Sequence, residues 1–171
     1  MKRSMFSAVI VLMAILFSCK SPSAGSANAA DDFKFSKLIY HLSRCNGTCP
    51  SMDLEIDNNK AVYVNREFYK TKSTIDSAGS GRFKGTLSQE QYNKLIDVLK
   101  KSNLDSLNFT PVGITDVSET TIIVYYNGKR KYLHSARPAP EANELITFIK
   151  SIGNDKNLER TTEVKELETG N

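Results

Sequence analysis

Residues 51–64 read SMDLEIDNNKAVYV. Met52, Leu54 and Ile56 alternate with Asp53, Glu55 and Asp57. A period of two is the pattern of a strand with one buried and one wet face, as in antiparallel sheets. Asp57-Asn58-Asn59-Lys60 follows as a turn, because asparagine tolerates the left-handed backbone of a tight hairpin. Ala61 to Val64 then returns as the next strand. Upstream, Lys37 to Arg44 places Leu38, Tyr40 and Leu42 on one face, so a strand precedes this hairpin. Downstream, Glu119 to Tyr126 is rich in β-branched and aromatic residues, Asn127-Gly128 is a strong hairpin turn signal, and Lys129 to Ser135 is the returning strand.

Two helices are legible between and after these hairpins. Ser88 and Gln91 form a capping box, with Leu87 and Tyr92 placed as a hydrophobic staple. Tyr92, Leu95, Ile96 and Leu99 then keep helical spacing, and Lys100 and Lys101 suit the negative C-terminal end. In the second helix Leu145, Phe148, Ile149 and Ile152 share a face, and Gly153 reads as its stop. Residues 65–81 carry no clear period, 82–87 read as a short strand, and 103–117 form a long connection with Pro111 and Gly113. The expected fold class is α+β: an antiparallel sheet built from hairpins, with two amphipathic helices packed on one face.

The N-terminus reads as an address. Lys2 and Arg3 precede the apolar run Phe6 to Phe17. Twelve helical residues rise only about 18 Å against a hydrocarbon core of about 30 Å, too short to span and suited to a signal peptide. Leu16-Phe17-Ser18-Cys19 resembles a bacterial lipobox, which implies cleavage before Cys19 and a lipid on it. Lys20 stands where inner-membrane retention in some bacteria uses aspartate, so that resemblance implies the outer membrane. Ala27-Asn28-Ala29 offers an ordinary secretion site that would discard Cys19, but it lies far past the apolar run. The expected organisation is a signal peptide over 1–18, a lipidated cysteine and flexible tether over 19–35, and one α+β domain over 36–153. Residues 154–171 read as a polar tail, a frayed helix or disordered.

The chain has 171 residues, 23 of them basic and 19 acidic, for a net charge of +4. Removing the signal peptide takes Lys2 and Arg3 and no acid, so +4 becomes +2. So small and scattered a charge argues against nucleic acid as a partner. Three cysteines less one anchor leave Cys45 and Cys49, in Arg44-Cys45-Asn46-Gly47-Thr48-Cys49-Pro50. Three readings stand for this pair. One is a disulfide staple, favoured outside the cytoplasm. Another is a redox-active pair, though the spacing is not C-x-x-C. The last is a metal site with His41 and His134, which lie at no recognised ligand spacing.

Cys45-x-Gly47-x-Cys49-Pro50, followed by a strand, an Asp-Asn turn and a strand, resembles the family called domain of unknown function 6438. Gly85-Thr86-Leu87-Ser88, Thr115-Asp116 and the strands around Asn127-Gly128 fall in similar order, so the resemblance spans about residues 36–152. It implies a domain that often follows a secretion or lipoprotein signal, and it implies no activity.

Candidate binding residues are Arg44, Asp116, His134 and Arg137. Each has a plainer reading: Asp116 as a turn former, His134 as a structural strand residue. No nucleophile elbow, zinc-protease helix or phosphate-binding glycine loop is present, and no cofactor or resident metal is expected. The function expected is a lipid-anchored cell-envelope module that is not an enzyme. It would meet the membrane through Cys19 and bind an envelope protein or glycan. The alternative is thiol–disulfide chemistry, or another envelope enzyme, using Cys45 and Cys49.

Overall fold

The computed structural model describes residues 33–170; the residues read as a signal peptide, Cys19 and nearly all of those read as a tether lie outside them. Its centre is a seven-stranded sheet in the order β8-β7-β1-β2-β3-β6-β9. The strands are β1 (Phe35–Leu42), β2 (Ser51–Asp57), β3 (Ala61–Glu67), β6 (Gly81–Thr86), β7 (Thr120–Tyr126), β8 (Lys129–Ser135) and β9 (Glu159–Arg160). A small separate pair, β4 (Tyr69–Thr71) and β5 (Thr74–Ile75), sits in the excursion between β3 and β6. Every neighbouring pair is antiparallel.

The alternating residues explain the layers. Leu38 and Tyr40, then Met52, Leu54 and Ile56, then Val62 and Val64, with Ile122, Val124 and Leu133, share one core. The helices α1 (Gln89–Lys101) and α2 (Asn143–Gly153) cover it with Leu95, Val98, Leu99, Leu145, Ile149 and Ile152. Thus the fold is α+β, with both helices contributing to one core. The capping box is formed on both sides: Gln91 N–H donates to Ser88 Oγ (3.1 Å) and Ser88 N–H to Gln91 Oε1 (2.9 Å). Asn127 and Gly128 both have positive φ, 50° and 72°, as a type I′ hairpin turn requires. In the Asp57–Lys60 turn it is Lys60, not an asparagine, that takes the left-handed backbone (φ 68°). There Asp57 Oδ1 accepts from the N–H groups of Asn59 and Ala61.

Three boundaries differ from the sequence reading. Phe33 and Phe35 belong to the domain rather than the tether: Phe33 stacks on Tyr126 and Phe35 is buried. Strand β3 runs on through polar Asn65, Arg66 and Glu67, because β2 and β6 flank it on either side; Arg66 faces Met52 on one and Gly81 on the other. Residues 154–170 are neither a frayed helix nor loose. They supply β9 and then cross the sheet, held by polar contacts that hydrophobic periodicity does not reveal.

Tyr40 is fully buried on the helix side. Burial pushes its hydroxyl well up, only partly offset by Thr120, and the group makes no hydrogen bond of full geometry. Tyr40→Phe is therefore expected to stabilise the domain by about 1 kcal/mol, since a desolvated, unsatisfied hydroxyl is removed without leaving a cavity. Urea unfolding checks this; a loss of stability would show that the hydroxyl is well paired.

Candidate functional site

The chain enters β1 at Phe35 and leaves it at Leu42, a run of roughly 25 Å for a strand of this length. The β2–β3 and β7–β8 turns lie at the starting end, where Asn58 N–H donates to Ser36 O and Asn127 N–H to Lys34 O. The opposite end gathers the 43–50 loop, the 110–119 connection and the end of β8. Ser43 and Glu119 clasp two of these: Ser43 N–H donates to Glu119 O (2.9 Å) and Glu119 N–H to Ser43 Oγ (2.8 Å).

Cys45 and Cys49 are bonded to each other, with Cα atoms 5.5 Å apart, and both are half-buried. Gly47 suits this loop because a Cβ there would come within 3.3 Å of Cys45 Sγ. With both sulfurs joined, neither is a thiolate for a metal. Among the described residues no group of three or more His, Cys, Asp or Glu is arranged to hold one.

The four candidate binding residues share this end of the sheet but not one pocket. Arg44 stacks on Tyr69 (4.1 Å to the ring centre) and donates to Lys72 O, so it faces the β4–β5 excursion. Asp116 has φ 66°, in the left-handed region that aspartate tolerates in turns, and its carbonyl accepts from Asn46 N–H (3.4 Å). His134 Nδ1 pairs with Thr121 Oγ1 (2.8 Å), while Nε2 lies 3.8 Å from Glu119 Oε2. Arg137 is exposed, and its N–H donates to Ser135 Oγ.

The sequence reading missed a polar row running from this end across the helix-free face. The register sets His134 opposite Thr121, Thr121 opposite His41, His41 opposite Asp53, and Asp53 opposite Asn65. His41 Nδ1 lies 2.7 Å from Asp53 Oδ1, and Nε2 lies 2.7 Å from the carbonyl oxygen of Glu168. Burial lowers the His41 pKa, but the Asp53 and Glu168 contacts together outweigh it, and the net direction is upward. The available signal was alternation, which places His41 and Asp53 on polar faces; their pairing needed the register.

This architecture defines a disulfide-closed antiparallel α+β domain with its loops collected at one end. The chain belongs to the family DUF6438, a domain of unknown function, matched over residues 36–154. That span covers all but the first residue of β1, runs through α2, and stops before β9. Among curated proteins none matches the sequence.

Proposed function

We propose that the protein is a lipid-anchored module of the bacterial cell envelope, held through Cys19, with the outer membrane as its site. Its role is to bind an envelope protein or glycan rather than to catalyse a reaction. The observation that carries this reading is the separation of the two sheet ends. An anchor upstream of residue 33 attaches where β1 begins. The Cys45–Cys49 loop, Arg44, Asp116 and Arg137 stand at the other end of that strand. A disulfide also suits a compartment outside the cytoplasm. Photo-crosslinking in intact cells tests this. A photoreactive residue at Thr48 or Arg137 is expected to capture a partner, and the same residue at Asn127 is not. Equal capture at both ends would sink the proposal. Cys19→Ser is expected to release the protein from membranes.

A second reading, thiol–disulfide exchange, draws on the partial exposure of both cysteines. The two separate on stability and potential. A staple closing so short a loop is expected to contribute about 2 kcal/mol. The double variant Cys45→Ala/Cys49→Ala should lose that amount in denaturant unfolding. A redox role predicts little stability loss and a mildly oxidising potential in thiol titration of the native protein.

A further inference from the structure

Past α2 the chain pairs with the sheet edge as β9, and Thr161 N–H donates to Arg82 O (3.0 Å). Residues 161–170 then run across the helix-free face with no regular secondary structure. Their contacts visit the strands in turn. Tyr63 OH on β3 donates to Glu163 O and accepts from Lys165 N–H, both at 3.3 Å. Lys165 Nζ reaches Glu55 on β2 (2.6 Å). Glu168 offers its carbonyl to His41 on β1, and its carboxylate to Tyr125 OH on β7 (2.6 Å) and Arg130 Nε on β8 (2.8 Å). Arg130 Nη2 also donates to Gly170 O (2.5 Å). Ile39 and Ile123 point to this face, away from the helices, yet are fully buried.

The His41 contacts carry a chemical condition. A carbonyl oxygen cannot donate, and an ionised carboxylate only accepts. A neutral imidazole has one N–H, so it satisfies one of its two partners here; the imidazolium satisfies both. The titratable groups in direct contact with it are Asp53 on β2 and Glu168 on the crossing segment; Thr121 on β7 lies opposite it, with His134 on β8 and its neighbour Glu119 beyond, and Glu168 is in turn held by Tyr125 on β7 and Arg130 on β8. Asp53 and Glu168 favour the cation, and burial opposes it.

We propose that residues 161–170 form a proton-linked strap, held over the helix-free face by protonated His41 and Glu168, and that loss of this proton opens the face. This goes beyond the envelope-binding reading and does not depend on it. The sign follows from linkage. Asp53 raises the His41 pKa whether or not the strap is docked, and the Glu168 contacts of the docked strap raise it further, so the strap contact is fully present below the value of the undocked ring and is lost as pH rises through the docked value.

Amide hydrogen exchange on the full chain, corrected for intrinsic rates, tests it. Protection of residues 164–170 is expected to fall by roughly threefold or more from pH 5.5 to pH 8.5. Amides in β2 and β3 should stay protected throughout and serve as the folding control. His41→Gln keeps a donor but no group that titrates in this range, and should flatten the pH dependence. Glu168→Ala should leave the strap open at both pH values and lower the pKa of the His41 ring read by NMR. Unchanged strap protection across this range, persistent pH dependence in His41→Gln, or full protection in Glu168→Ala would each overturn the proposal.

Discussion

Phe83→Ala is expected to destabilise the domain by about 3–5 kcal/mol, the range for emptying a buried aromatic site. Phe83 is buried on β6 and lies against two guanidinium groups, Arg66 at 4.2 Å and Arg160 at 4.9 Å from the ring centre. Each arginine ties down a different part of the fold. Arg66 donates to Gly153 O at the end of α2 and to Gly79 O in the excursion. Arg160 on β9 donates to the carbonyls of Ser77, Ala78 and Ser80. Burial, and then the neighbouring Arg160 charge, lowers the Arg66 pKa, as two cations brought to one ring require. Removing it loses the packed area and two cation–π contacts, and it loosens β9 together with the excursion. Chemical denaturation reads the loss. A change under about 1 kcal/mol would mean that the arginines repack without the ring.

Gly153→Val is expected to cost about 3 kcal/mol, the upper end for forcing extra carbon into a packed core. A Cβ on Gly153 would lie 2.4 Å from Met52 Sδ, 2.9 Å from Met52 Cε and 3.2 Å from Leu54 Cδ1. Met52 and Leu54 are themselves buried on β2, so the strand beneath has little room to yield. The Gly153 carbonyl is also held by Arg66, which resists a shift of the helix end. Gly153→Ala should cost less, because the methionine thioether is flexible and can move aside. If the valine variant unfolds at the wild-type midpoint, close approach is not what requires glycine here. The sequence reading of Gly153 as the helix stop places it correctly at the end of α2. Gly81 and Gly128 are the glycines with positive φ among the described residues, so Gly153 is needed for contact rather than for backbone angle.

The parts of the fold that sequence made legible are those in which one local pattern carries the information. Alternation in 51–57, the Asn127-Gly128 turn and the Ser88/Gln91 box each specify their own geometry within a few residues. What was missed depends on residues distant in the chain. The β4–β5 excursion is held by Arg44 and Ser80, through contacts no periodicity encodes. The segment 161–170 has few apolar residues, and its anchor at His41 lies 127 positions away. The same holds at the loop end. Arg44, Asp116, His134 and Arg137 do gather on one side of the sheet, yet each is committed to a different neighbour, which depends on strand register and loop path together.

The sheet order has a kinetic consequence. Strand β1 is the first to be synthesised and lies third across the sheet, between β2 and β7. Its pairing with β2 closes through a short loop. Its other edge meets β7 with Leu42 opposite Thr120, after everything from the disulfide loop through α1 has been made. Until then that edge of β1 lacks its β7 partner. Sheet closure of this kind is slow and exposes a pairing template while it waits. Destabilising β7 should therefore slow folding and promote aggregation of the nascent chain more than an equal loss in β6, whose partner β3 lies close by in sequence.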